Sequence, residues 1–253
     1  MKVELIRYTP DALNLLLLTK GTRLGSDEDP STWDEGRKAE HLQYMLGTIK
    51  SSWEFVDYVF RITGVTRAFT HQLVRTRTGS YAQETQRAVD VRGAPVLIPD
   101  GLSQELAARF EELADDALNG YAELWDRGAA PQDARGLLPT NTTTSIIVKW
   151  NLRTLHESAK TRLCTRTQGE YQDVFRAMRE QVIAVHPWTE QMMNVACAAD
   201  GRCAFPNYGP TGCAVWHPSL DGSATASAAG ERFWNAPRAA AAPRATIDGR
   251  SVG

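Results

Sequence analysis

The sequence predicts an α+β protein, a twisted mixed or antiparallel sheet packed with long helices. Three observations carry this. Alternating runs rich in Val, Ile, Thr and Tyr stand at residues 2–8, 56–63 and 140–150. Long stretches with apolar residues three and four apart stand at 103–125 and 168–185. The two kinds do not alternate regularly, as a doubly wound parallel sheet requires.

Taken in order, residues 2–8 alternate as an opening strand that Pro10 ends. Residues 11–19 hold a leucine run too continuous for a surface face, so a buried helix is expected. The polar stretch 25–36 with Pro30 reads as a loop, and the helical period resumes over 40–50. The strand at 56–63 is expected to break at Gly64, and a helix over 65–74 follows. Residues 89–98 carry Pro95 and end before Pro99, which restricts them to an edge strand or a loop. After the helix at 103–125 and the threonine-rich strand at 140–150, Asn151 is placed to cap a helix bearing Arg153, Glu157 and Arg162. Arg162 and Arg166 are then expected one turn apart on one face. The last helix, 168–185, stops before Pro187. From residue 219 on there is too little apolar surface to pack. The expected organisation is therefore one domain over 1–215 and an irregular or extended tail over 216–253.

Composition excludes several classes of function. With 42% hydrophobic and 23% charged residues the chain is an ordinary soluble globular protein, and a net charge of −2 leaves nucleic acid no general basic surface to bind. No apolar run approaches the ~20 residues of a membrane helix, and residues 1–5 do not open a secretory signal, so the cytoplasm is the expected location. Cys164, Cys197, Cys203 and Cys213 form no Cys-x-x-Cys pair, which supports reduced thiols over a structural zinc. The clustering of the last three leaves a disulfide or a metal open.

One stretch carries chemistry. Residues 70–87 hold three arginines, three glutamines and several hydroxyls without a lysine. Guanidinium groups are planar and permanently charged, so such a cluster favours oriented recognition of phosphate or carboxylate. The plainer alternative is a solvated arginine-rich loop. If the segment is extended, Gln83, Thr85 and Arg87 share one face. Arg135, Asn151, Arg153, Arg162 and Arg166 form a second concentration far along the chain. Two such groups suit a ligand with more than one anionic part, such as a dinucleotide with a nucleotide, or single-stranded nucleic acid.

Gln72-x-x-Arg75-Thr76-Arg77, followed by Ser80-Tyr81-Ala82-Gln83-Glu84-Thr85-Gln86-Arg87, resembles the signature of the flavin-dependent thymidylate synthases. Asn151-x-Arg153, Arg162-Leu-Cys-x-Arg166-x-Gln168 and Arg135 shortly before Leu138-Pro139 resemble later elements of that family in the same order. Three positions depart from it: Thr76 replaces a histidine, Thr85 a serine and Ala88 a tyrosine.

The resemblance implies that Gln72, Arg75, Thr85, Arg87 and Arg135 contact a pyrimidine nucleotide, with Gln83 and Glu84 beside it, and that Arg162 polarises the ring as the catalytic charge. For FAD it implies Ser52, Arg75, Thr76, Arg77, Thr78, Gln83, Asn151, Arg153 and Glu157. It further implies a homotetramer that methylates dUMP at C5, with methylenetetrahydrofolate as carbon donor and NADPH as reductant. No metal is implied. The departures keep a different C5-modified nucleotide open, hydroxymethyl-dUMP or a modified dCMP, and an arginine-rich nucleic-acid-binding module is the non-enzymatic alternative. Cys164 as a nucleophile, and His71 or His156 as acid–base groups, are each weaker than a packing role.

Overall fold

The computed structural model describes residues 1–201 and 203, together with the backbone of two short strands, Ala245–Ile247 and Arg250–Val252. Most of the expected irregular tail, and Cys213, lie outside the described residues. The chain divides into two compact units, Met1–His156 with Ala177–Met192, and Glu157–Arg176 with Met193–Gly253.

The first unit is built on one four-stranded sheet. Its spatial order is β1 (Lys2–Tyr8), β2 (Asp57–Thr66), β4 (Thr143–Asn151) and β3 (Ser80–Gln83), every pairing antiparallel. Across the central pair Tyr58 faces Trp150, Phe60 faces Val148 and Ile62 faces Ile146, and all six side chains are buried. The intervening pairs, Val59 with Lys149, Arg61 with Ile147 and Thr63 with Ser145, take the other, more open face. Each apolar side chain on the covered face stabilises the fold by about 1.5–3 kcal/mol. Gln181 secures the outer strand: its Nε2 donates to the Val3 carbonyl at 2.7 Å, and its Oε1 accepts from the Leu5 N–H.

Gly64 does not end β2 as expected. The register slips between Thr63 and Val65, and Gly64, at φ 66°, takes up the extra residue as a bulge. A glycine enters this left-handed region without strain, so the strand continues to Thr66.

Helix α1 (Ala12–Arg23) runs four residues beyond the expected end. Its leucine run is only partly buried: Leu16 and Leu17 are enclosed, whereas Leu18 is 44% exposed, because successive residues point around the helix. Helix α2 (Glu35–Leu46) begins inside the expected loop, since the Asp34 carboxylate accepts from the Arg37 N–H and caps the first turn. A 3-10 turn, Ser51–Phe55, then leads into β2.

Thr66 caps α3 (Arg67–Leu73) by accepting from the Phe69 N–H. Residues 89–98 form a loop that meets the start of β4 at the isolated pair Val96–Thr142, where the Thr143 N–H donates to the Pro95 carbonyl. Helix α4 (Gln104–Asp126), capped by Ser103, buries Tyr121 in a small cluster with Val91 and Ala134, the last from the short α5 (Pro131–Ala134). Helices α6 (Leu152–Arg162) and α7 (Gly169–Val185) each start in one unit and end in the other. In the second unit Leu163, Tyr171, Val174 and Phe175 are buried, α8 (Ala196–Ala199) follows, and β5 (Ala245–Ile247) pairs with β6 (Arg250–Val252).

Candidate functional site

The first half of the arginine segment is a pinned turn. After α3 the Arg75 N–H donates to the Gln72 carbonyl, Thr76 N–H to Leu73, and Gly79 N–H to Thr76, folding the chain back into β3. The Tyr81 hydroxyl accepts from the Trp150 indole N–H at 2.9 Å and offers its proton to the carbonyls of Thr76, at 2.5 Å, and Leu73, at 3.2 Å. A β-carbon at Gly79 would stand 2.3 Å from the Trp150 indole nitrogen, so only glycine lets the turn lie against that ring. Arg75 and Arg77 are exposed on this turn, and among the described residues neither side chain has an ion-pair or hydrogen-bond partner.

The second half is a strap over the start of α3. The Gln83 side-chain amide donates to the Thr70 hydroxyl at 2.7 Å. Glu84 extends the β3–β4 ladder by one step: its N–H donates to the Ser145 carbonyl, and its carboxylate accepts from the Ser145 N–H at 3.1 Å. The expected single face for Gln83, Thr85 and Arg87 is not formed. Past Glu84 the chain turns, and the Thr85 hydroxyl accepts from the Arg87 N–H.

This turn carries Arg87 to α5. Its guanidinium reaches the Gln132 side-chain oxygen at 3.5 Å, while Arg135 Nε donates to the Gln132 carbonyl at 3.1 Å. Among the described residues Arg75, Arg77, Arg87 and Arg135 meet no carboxylate. Arg92, Arg109 and Arg127, in contrast, pair with Asp90 and Asp126, Glu112, and Glu123.

Sequence reasoning missed Arg67. Its Nη1 donates to the Glu84 carbonyl at 2.9 Å. Burial first, and then the Arg135 guanidinium, hold its pKa below the ordinary arginine value, with Glu84 opposing both. Its place at the first position of α3, outside the amide-rich stretch, gave no signal.

The residues expected at a flavin gather at the other end of β4. Thr154 donates its hydroxyl proton to the Thr78 hydroxyl at 2.9 Å, which ties the arginine turn to the first turn of α6. Asn151 caps α6 as expected, its side-chain oxygen accepting from the Thr154 N–H at 2.8 Å. Arg153 pairs with Glu54 at 2.5 Å, on the 3-10 turn that also holds the buried Ser52. Ser52 lines a cleft of about 430 Å³ with Leu15, Leu18, Thr22 and Phe55. Thr76 is half-buried and Gln72 lies in α3.

Glu157 and Arg162 belong to the second unit. Lys160 lies 3.7 Å from Glu157, and the Arg162 guanidinium lies 4.4 Å over the Tyr171 ring. Arg162 and Arg166 do not share a helical face, because α6 ends at Arg162. Cys164, Cys197 and Cys203 carry no disulfide. Among the described residues there is no cluster of metal-ligating side chains, and no helix is long and apolar enough to cross a membrane.

The turns and loops beside the sheet thus carry guanidinium groups that meet no carboxylate among the described residues. Comparison with known proteins specifies the class: the family model described as thymidylate synthase complementing protein matches residues 4–188. The flavin-dependent thymidylate synthase of Pyrococcus furiosus is 30% identical over 229 residues, which cover 84% of this chain and 93% of the relative. The enzyme of the same name from Geobacter sulfurreducens is 34% identical over 199 residues, 74% of this chain and 84% of the relative. That from Sulfurisphaera tokodaii is 31% identical over 194 residues, 74% and 75% of the two chains. The chain belongs to the flavin-dependent thymidylate synthase family, whose members are enzymes of the methyltransferase type.

Proposed function

We propose that the protein methylates dUMP at C5 to give dTMP, taking the carbon from methylenetetrahydrofolate and using FAD reduced by NADPH. The observation that carries this reading is the set Arg75, Arg77, Arg87 and Arg135, all held on ordered backbone without a carboxylate partner among the described residues. A guanidinium left without an acid suits a phosphate, because its planar fork of donors matches the phosphate oxygens.

Within the first unit, Gln72, Arg75, Gln83, Glu84, Thr85, Arg87 and Arg135 bind the nucleotide. The strap fixes Thr85 and Arg87, and Gln132 holds the guanidinium groups of Arg87 and Arg135 to one short helix. Ser52, Arg75, Thr76, Arg77, Thr78, Gln83, Asn151, Arg153 and Glu157 bind the flavin. Their chemistry fits: the walls of the Ser52 cleft are almost wholly apolar, as a flat aromatic ring needs, and the capped start of α6 with Arg77 and Arg153 suits a diphosphate. When bound, the reduced flavin supplies the two electrons that convert the transferred carbon to a methyl group. Arg162 contributes a permanent positive charge that stabilises the anion developing on the pyrimidine when C5 becomes nucleophilic. No protein nucleophile is required.

Thr76 presents a short hydroxyl where the family signature carries an imidazole, so this pocket is roomier and lacks a titratable donor at that point. The chain works as a homotetramer. Supporting this, α4 leaves Leu106 at 57%, Leu113 at 52% and Leu124 at 39% exposed on one face.

The test supplies dUMP or dCMP with methylenetetrahydrofolate, NADPH and FAD, and identifies products by mass spectrometry. The expected product is dTMP from dUMP. A hydroxymethyl product, or turnover of dCMP alone, replaces this reading with that of a different C5-modifying enzyme. Absence of any product together with salt-sensitive binding of oligonucleotides replaces it with a nucleic-acid-binding role.

A further inference from the structure

We propose that Arg67 is the positioning residue of the nucleotide site: it clamps the strap that carries Gln83, Thr85 and Arg87 and sets a third guanidinium beside Arg135. The inference deepens the functional reading above and rests on it.

Three contacts place Arg67 at the root of the strap. Its backbone N–H donates to the Thr142 carbonyl at 3.2 Å and so fixes the start of α3 to the residue just before β4. Its side chain donates from Nη1 to the Glu84 carbonyl at 2.9 Å. Its own carbonyl accepts from the Thr70 hydroxyl at 3.0 Å, the hydroxyl that in turn receives the Gln83 amide. Gln83 and Glu84, neighbours in sequence, are thus held by one residue through two routes. The Glu84 carbonyl is the last anchored point before the chain leaves the sheet toward Thr85 and Arg87.

The charge arrangement points the same way. Burial, and after it the nearby Arg135 guanidinium, disfavour the charge on Arg67, and Glu84 opposes both. The Glu84 carboxylate is itself engaged by the Ser145 N–H. Two neighbouring guanidinium groups, neither of which has a salt bridge among the described residues, repel each other until an anion joins them. The phosphate of the nucleotide supplies that anion. Arginine suits the position because its planar fork can hold a carbonyl with one nitrogen and direct the others at a phosphate, whereas a lysine offers its three donors from a single point without that fixed geometry.

The test compares full-length wild-type protein with Arg67→Gln, Arg67→Lys and Arg135→Gln, using dUMP as ligand. Arg67→Gln is expected to raise KM for dUMP roughly 10- to 100-fold, the loss of a charge-assisted contact, with a smaller fall in kcat. FAD affinity and the thermal midpoint should stay near wild type. Arg67→Lys keeps the charge but not the fork, so its KM should fall between the two. Amide exchange over residues 83–87 should quicken in both variants, and Arg67→Gln with Arg135→Gln should be non-additive.

Unchanged KM in Arg67→Gln overturns the proposal, as does parallel loss of dUMP and FAD binding, which marks a general structural role. Should Arg67→Gln not fold, Arg67→Lys with unchanged exchange over 83–87 overturns it equally. Failure of the wild-type protein to bind dUMP is a different outcome: it removes the functional reading and this inference with it.

Discussion

Trp150 donates its indole N–H to the Tyr81 hydroxyl at 2.9 Å, joining the end of an interior strand to the turn that carries Arg75 and Arg77. The same hydroxyl reaches the carbonyls of Thr76 and Leu73, so one oxygen organises a ring buried in the core, the end of a helix and the arginine turn. Tyr81→Phe removes that oxygen and strands a buried donor. It should cost about 1–3 kcal/mol in denaturant unfolding. Loss of FAD binding should exceed that of an equally destabilising change in α4.

Gly79 is required for a different reason. Its φ is not in the left-handed region, so the demand is purely one of space against the Trp150 indole and the Tyr81 hydroxyl. Gly79→Ala should destabilise by roughly 1–3 kcal/mol, the usual range for forcing atoms into a packed site. It should also red-shift Trp150 fluorescence as the ring is displaced. A thermal melt equal to wild type would show that the turn can open without loss.

Asn151 ends β4 and caps α6, so Asn151→Ala should cost about 1 kcal/mol. Asn151→Asp keeps an acceptor and should retain stability. If Asn151 also touches the flavin, both variants lose FAD affinity, and a titration separates that effect from the melt.

His186 sets a pH dependence. Its Nδ1 shares a 2.9 Å hydrogen bond with the Tyr58 hydroxyl, and its ring meets Tyr8 and Trp188 edge-on or tilted. Burial holds its pKa below the ordinary histidine value. The neutral form is therefore favoured in the folded protein, and the unfolded chain takes up the proton first as pH falls. This contribution is fully present above about pH 6.5 and is lost progressively below it. The unfolding midpoint should drop through that range, and His186→Gln should flatten the drop. Burial shifts His41 the same way, so some slope should remain.

Much of the first unit was legible because its signals are local. Alternation over 2–8 and 140–150, three-and-four spacing in α4, the cap at Asn151 and the stop before Pro187 all arise from neighbours in sequence. The errors have two causes. Asp34 and Gly36 read as a loop until the Asp34 cap is seen, Gly64 read as a break until β4 supplies its partners, and Arg67 looked ordinary until the chain returned at Glu84. The last two depend on contacts that no short window of residues contains, whereas the Asp34 cap reaches only three residues on and was masked by the polar stretch with Pro30 around it. The arginine motif was visible as composition and spacing, but the turn after Glu84, which separates Thr85 and Arg87 from the strand, was not.

The bulge at Gly64 has a wider effect than its size suggests. Without it, alternation along β2 would point Val65 away from the covered face and bring Thr66 around in its place. The hydroxyl that starts α3 would then be aimed at the wrong side, and Gln72, Arg75 and Arg77 would be delivered half a rotation away from β3 and Tyr81. A single residue without a side chain thus decides on which side of the sheet the arginine turn emerges, and with it where the proposed anion site can form.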